Sequence, residues 1–379
     1  MTERSPVTTR DVFLAASAAH AHKGSRSVGV VMCCKACPLS RLREWFFCHL
    51  CSGVSLFFVR WEDELETKIA EFFRQLQNTG VLVLELTDSA GECGSSALID
   101  RQGECVAWAL HQSRQRGLHA LYHLDDDELL WPFDKNHTAW DLAKPSRKGQ
   151  VCVRFENVEA VFEFTERTAA TFSRSTTSFR AWDLCSYGNG KSAALLQTGE
   201  DVYFCGPHAF CRYDELHPPG GGKDRFLFER FHQAAGGCSA CCGRPQYSRL
   251  GVVLHFEAPD FSDWAKKFRW QVSGTRLAVD GDQLRVFPYK AESIAVMGAC
   301  RKQQEDVYRR WRCFPRPSRE HRYRRVSGAD VLKRILEFRT ALRSMVLSER
   351  NGRASSVLLP TQGRKSKNSI ARVAKQAAK

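Results

Sequence analysis

No apolar run in the 379-residue chain reaches the roughly 18–20 residues that a membrane-spanning helix needs. The best candidate, Trp45 to Val59, is too short and is interrupted by His49, so it reads as core. Position 2 is threonine, not glycine, and no cationic stretch precedes an apolar one near the start. Neither a myristoyl anchor nor a secretory leader is therefore expected. Linear catalytic signatures are missing as well: there is no nucleophile elbow and no His-Glu-x-x-His. Gly188-Asn189-Gly190-Lys191-Ser192 ends like a phosphate-binding loop, but Cys185 stands where its first glycine belongs. The residues after Ser192 also read as a strand, whereas a phosphate needs a helix N-terminus there. Together these absences lead to the expectation of a soluble intracellular protein that is not an enzyme.

What is present is unusual in two respects. Cysteine occurs 16 times, and without a leader these residues read as reduced thiols, small buried hydrophobes or metal ligands. The net charge of +14 is also unevenly spread. From Arg301 to Lys379, 22 Lys+Arg face 6 Asp+Glu, a net of +16; the rest holds 34 against 36, a net of −2. A near-neutral body with a basic C-terminal fifth suits contact with nucleic acid, an acidic protein surface or an import receptor.

Patterning along the chain predicts an α+β body rich in hairpins, with a C-terminal amphipathic helix. Residues 1–27 read as a flexible N-terminal arm and 28–90 as a Cys-rich N-terminal region. Val28 to Met32 reads as a strand, and Val81 to Leu86 as another. Between them Leu65, Ile69, Phe72, Phe73 and Leu76 recur at helical spacing. Residues 91–300 read as a hairpin-rich body. Three similar stretches, Ser96 to Trp108 around Gly103, Ala193 to Phe204 around Gly199 and Leu277 to Phe287 around Gly281, are expected as strand–turn–strand units. Val151 to Phe164 reads as further strand, and Asp224 to His232 as a helix. A doubly wound sheet is not expected, because strand–helix alternation is not visible. Residues 301–350 read as a basic segment and amphipathic helix, clearest over Ala329 to Val346, and 351–379 as a disordered basic tail.

Metal ligation is the sharpest chemical signal. Cys34-x2-Cys37-x10-Cys48-x2-Cys51 offers two Cys-x-x-Cys knuckles to one zinc ion. Cys238-x2-Cys241, preceded by Gly236-Gly237, is a second candidate knuckle whose remaining ligands would come from Cys242, His232 or His255. Asp125-Asp126-Asp127-Glu128 has the residues of a metal carboxylate cluster, but consecutive acids read first as a solvated acidic loop, or as a dock for a basic partner. Tyr308 to Arg312 and His321 to Arg325 interleave arginine with aromatic residues. That pattern serves phosphate contact and base stacking, or else forms a solvated surface.

The chain also resembles the herpesvirus cytoplasmic envelopment protein 2 family, a capsid-associated tegument protein family. The resemblance starts at Gly103 to Ala107 and is fullest from Gly188 to Cys300. It includes Val202-Tyr203-Phe204-Cys205, Pro218-Pro219-Gly220, Gly236-Gly237-Cys238-Ser239-Ala240-Cys241, Trp264-Ala265-Lys266 and Leu277 to Asp282 in the family's order. Gly243 to Tyr247 holds no histidine where the family places one, and Phe256 to Asp260 replaces a Cys-rich run. The resemblance implies a tegument adaptor that links capsids to membrane-bound tegument during cytoplasmic envelopment and egress. Its implied partners are a lipidated protein like cytoplasmic envelopment protein 3, the capsid and other tegument proteins. Its implied locations are the virion tegument, host cytoplasm and host nucleus. The residues alone leave open a zinc-stabilised nucleic-acid-binding protein acting through the basic C-terminal region, and a regulatory tegument protein with duplicated hairpin domains.

Overall fold

The computed structural model describes residues 26–35, 37–87, 97–146, 148–162, 176–180, 190–196, 202–204, 210–212, 247–258, 260–273, 288–313 and 333. The helix expected at Asp224 to His232, the stretch around Gly281, the knuckle at Cys238 and Cys241, and the tail lie outside these residues. So does the helix expected at Ala329 to Val346, apart from helical Lys333.

The described N-terminal part is a run of strand and helix: β1 (Val28–Cys34), α1 (Leu39–Cys51), β2 (Leu56–Trp61), α2 (Thr67–Asn78), β3 (Leu82–Leu86), α3 (Ala97–Gln115) and β4 (Ala120–His123). β1 lies parallel to β2 and to β4, and β2 lies parallel to β3. Two later strands, β6 (Cys152–Phe155) and β9 (Lys191–Leu195), complete a six-stranded sheet of order β3-β2-β1-β4-β9-β6. β9 runs antiparallel to both of its neighbours. Strands covered by helices on both faces must be apolar on both faces, and β1 is accordingly Val-Gly-Val-Val-Met-Cys-Cys. Its alternate residues divide between two cores. Val28, Val30 and Met32 join Trp45 and Phe46 of α1 and Phe72 and Phe73 of α2 on one side. Val31 joins Cys105, Val106, Ala109 and Leu110 of α3 on the other.

A second sheet is built from β5 (Glu128–Pro132), β7 (Asn157–Phe162), β8 (Thr176–Arg180) and β12 (Gly251–His255). Its strand order is β5-β12-β7-β8. A small antiparallel pair, β10 (Val202–Phe204) and β11 (Phe210–Arg212), stands apart from it. The remaining elements are the short helix α4 (Ala139–Ala143), then α5 (Phe261–Ser273), α6 (Pro288–Ala295), α7 (Arg301–Tyr308) and a π-helical turn over Arg309–Cys313. No described helix is long and apolar enough to cross a membrane.

The mixture of helices and mixed sheets agrees with the α+β expectation, but several element-level readings are corrected. Ser96 to Trp108 is no hairpin: from Ala97 onward it belongs to the 19-residue helix α3. Cys105, Val106, Ala109 and Leu110 recur at helical spacing, and a lone Gly103 costs a helix only about 1 kcal/mol. With α3 in place, strand–helix alternation is present from β1 to β4, and the first four strands wind as half of a doubly wound sheet. Lys191–Leu195 and Val202–Phe204 are strands, yet β9 pairs with β4 and β6 while β10 pairs with β11, so they form no hairpin with each other. The six-stranded sheet also draws strands from both sides of residue 90, so it crosses the boundary expected there.

Candidate functional site

The winding direction of the first sheet reverses between β1 and β4, because the chain moves outward through β2 and β3 and then returns to β1's other edge. In open sheets of this kind, ligands sit beyond the carboxyl ends of the strands at such a reversal. The connections leaving β1 and β4 there are the segment from Cys34 to Cys37 and the turn Leu124 to Asp127. That turn is the acidic run, and directly after it the chain enters β5 of the second sheet. The run is therefore not a solvated loop; it sits at the junction of two sheets. Glu128 is fully buried, and the side chains of Asp125, Asp126 and Asp127 keep only 24, 29 and 20% of their exposure.

Strand register supplies the surroundings. On β12, His255 lies opposite Glu128 of β5 and opposite Glu159 of β7. His255 Nδ1 is 2.7 Å from Glu159 Oε1, and its Nε2 is 3.6 Å from Asp127 Oδ2. Glu159 also accepts from Arg312 at 3.3 Å, and Arg312 donates to the Glu257 carbonyl at 2.6 Å. Lys267 bridges Glu257 at 2.5 Å. On the other side of the turn, the buried Lys191 ammonium reaches Asp125 at 2.6 Å and Glu128 at 3.2 Å. Gly190 leads the chain into this strand. Its φ is +64°, and a Cβ there would stand 1.7 Å from the Phe155 carbonyl oxygen, so only glycine fits. The Gly-Lys-Ser sequence thus leads into a strand, and its lysine meets carboxylates.

The titration behaviour follows from this crowding. Burial opposes ionisation of Asp125, yet Lys191 and His123 outweigh it and hold that carboxyl low. For Asp127, His255 and Lys267 likewise overcome burial. Burial, with Asp127 beside it, pushes Asp126 up to about 6. Burial also pushes Glu128 up to about 7, with Asp125 adding to it and Lys191 opposing. His255 is raised well above the usual imidazole range: burial works against its charge, but Glu159 and Asp127 prevail. Carboxyls pushed up mainly by burial, beside others that fixed cations hold low, are a common property of functional sites.

Two groups of potential metal ligands lie here. Glu159, His255 and Glu257 offer ligand atoms within 4.8 Å of one another, as do Cys34, Cys37 and Asp126. The second group brings together two of the predicted thiols and an acid expected on a solvated loop. Cys48 and Cys51 do not join it. They ride the C-terminal half of α1, and Cys48 lies nine residues beyond Leu39, or about 14 Å along the axis. Cys238 and Cys241 lie outside the described residues. Tyr308 and Arg312, expected to bind phosphate, stack on bases or stand in solvent, are buried instead: Tyr308 packs on Phe261 and Trp264, and Arg312 holds Glu159. The signal that could have exposed the site was Asp-x-Asp directly after the short apolar stretch Ala120 to Leu124. It gains meaning only once α3 is recognised before it. No protein-family model matches the chain, and no curated protein matches it in sequence.

Proposed function

We propose that the chain is a divalent-cation-dependent transferase that uses a nucleoside diphosphate sugar as donor. The observation supporting this most directly is Asp125-x-Asp127 at the carboxyl end of β4, at the sheet's reversal, with His255 3.6 Å from Asp127. A β-α-β-α-β unit of this order is a mononucleotide-binding half-fold. Here it has no glycine-rich loop to cradle phosphates: α1 is entered through Cys37-Pro38, and Pro38 has no N–H. The charge of a diphosphate must then be met by other means. Carboxylates with an imidazole suit magnesium or manganese, which are usually held by one or two carboxylates together with substrate phosphates. Asp127 and His255 are the residues that would hold it, and His255, an imidazolium between Glu159 and Asp127, would release a proton when the cation took its place. When bound, such an ion would neutralise a departing diphosphate.

The chain's own residues prepare this arrangement. Glu159 accepts from His255 Nδ1 and so presents Nε2 toward Asp127, the usual support of a ligating histidine. Lys191 neutralises Asp125 and Glu128 and thereby anchors the turn. Arg312 and Lys267 hold Glu159 and Glu257 on the far side of His255's strand end. With a diphosphate as leaving group, the bond from the sugar's anomeric carbon to the diphosphate breaks and the glycosyl residue passes to a nucleophilic acceptor, which is water where no other is supplied.

The test is incubation of the full chain with a panel of nucleoside diphosphate sugars and manganese, with the released nucleotide identified. The expected product is nucleoside diphosphate, released only with added cation. Asp127→Asn should abolish release, and Glu159→Gln should weaken manganese binding by about 10–100-fold. Release of nucleoside monophosphate would replace glycosyl by sugar-phosphate transfer, and release of sugar 1-phosphate would replace it by nucleotidyl transfer. Failure of a folded chain to bind manganese with any nucleoside diphosphate would remove the reading.

For the Cys34, Cys37 and Asp126 group, the ion we propose is zinc, since two thiolates and one carboxylate suit it. The tegument-adaptor reading rests on the resemblance alone and keeps its own test. Co-expressed with a small lipidated tegument protein, an adaptor would move to cytoplasmic membranes and co-precipitate with that partner.

A further inference from the structure

We infer that Cys34, Cys37 and Asp126 form a control site: a thiophilic divalent cation bound there weakens the grip of Asp127 and His255 on their own cation. The binding half of this inference stands alone, whereas the control half rests on the transferase reading above.

The donor atoms converge within 4.8 Å from two neighbouring parallel strands, Cys34 closing β1 and Asp126 lying just past β4. Both thiols are 3% exposed, while Asp126 is the partly open member, so an ion reaches them past the carboxylate. Thiolates select zinc or cadmium, whereas carboxylate and imidazole suit magnesium or manganese. Two sites of different softness therefore stand side by side and sort ions by chemistry. Water would complete a four-coordinate shell at the thiol site.

The coupling follows from chain connectivity. Asp126 lies directly between Asp125 and Asp127, so a cation on Asp126 places a second double charge one residue from the first. It also competes with Arg41, which approaches Asp126 to 3.8 Å and Asp263 of α5 to 3.1 Å. Like charges on successive residues disfavour joint occupancy. Because such coupling is reciprocal, manganese must weaken the thiophilic ion by the same factor.

The experiment uses the reduced full chain and cadmium, whose bonds to thiolates give a charge-transfer absorption that carboxylates do not. The wild type should show one equivalent more of this absorption than Cys34→Ala/Cys37→Ala, and Asp126→Asn should bind that equivalent more weakly. Bound manganese, followed by electron paramagnetic resonance, should be released by the first equivalent of cadmium in the wild type but not in the double variant. Asp126→Asn sits at a partly open position and serves as the folded control if the buried cysteine pair does not tolerate alanine. Equal cadmium absorption in the wild type and all folded variants would overturn the site. Cadmium bound at the thiols with manganese unmoved would overturn the control. A chain that binds cadmium there but never binds manganese would overturn the transferase reading and the control together, and leave the thiol site standing.

Discussion

His49 shows how one side chain can be settled by its partners. Its Nδ1 faces the Trp45 carbonyl at 2.8 Å, and its Nε2 faces the Leu130 N–H at 3.1 Å. A carbonyl can only accept and an N–H can only donate, so the ring is neutral with its proton on Nδ1. Burial outweighs the Trp45 bond and lowers its pKa to about 4. In the unfolded chain it returns to about 6.5, so the stability it contributes is full above that pH and is lost as pH falls toward 4. The loss expected from this group is about 3 kcal/mol across that window. Denaturant titrations of the wild type and His49→Gln between pH 7 and 4 check this. The wild type should lose more stability over the window by roughly that amount, and parallel curves would show that His49 is charged or exposed. Subtracting the two curves is needed, because Asp126 and Glu128 titrate in the same range with the opposite sign.

At the scale of elements, α3 decides between two readings of the same residues. Gly103 lies inside this helix, and it is not among the glycines with positive φ. In a helix, Gly103→Ala removes backbone freedom from the unfolded chain and should stabilise by roughly 0.5–1 kcal/mol. At the turn of a hairpin, the same change would destabilise. Thermal or denaturant unfolding of this single variant therefore reads the element from the sign alone. The outcome matters beyond stability, because α3 is the crossover that delivers β4 parallel to β1. If β4 were reached by a hairpin it would run the other way, and Asp125 to Asp127 would leave the reversal point.

For the whole molecule, the acidic turn is a joint. It follows the last parallel strand of the first sheet, begins the second sheet and is held from both sides by Lys191 of β9 and His255 of β12. A cation with a nucleoside diphosphate at this joint would bind the folded chain and not the unfolded one, which stabilises by mass action. At one hundred times the dissociation constant the gain is about 2.7 kcal/mol, or roughly 3–4 °C in the thermal midpoint of a 379-residue chain. Scanning fluorimetry with manganese, with nucleoside diphosphate and with both should show the full shift only with both. Asp127→Asn should abolish it. An equal shift in that variant would locate the ligand elsewhere.

Local patterning sufficed where local forces dominate. The run Val28 to Met32, the strand at Val81 to Leu86 and the stripe Ile69, Phe72, Phe73 and Leu76 were legible because one face of a strand or helix reports its own burial. The core position of His49 and the failure of the Gly-Lys-Ser motif as a phosphate loop were legible for the same reason. Gly103 misled, since a glycine between short apolar runs suits a turn as well as a tolerated helix interior. The site itself was decided only by tertiary structure. Cys34 meets Asp126, Asp125 meets Lys191, and His255 meets both Asp127 and Glu159 across long stretches of chain. Consecutive acids have no reason to be buried until parallel pairing, strand register and a buried lysine bring opposite charge to them. That charge comes from sequence too distant for any local pattern to report.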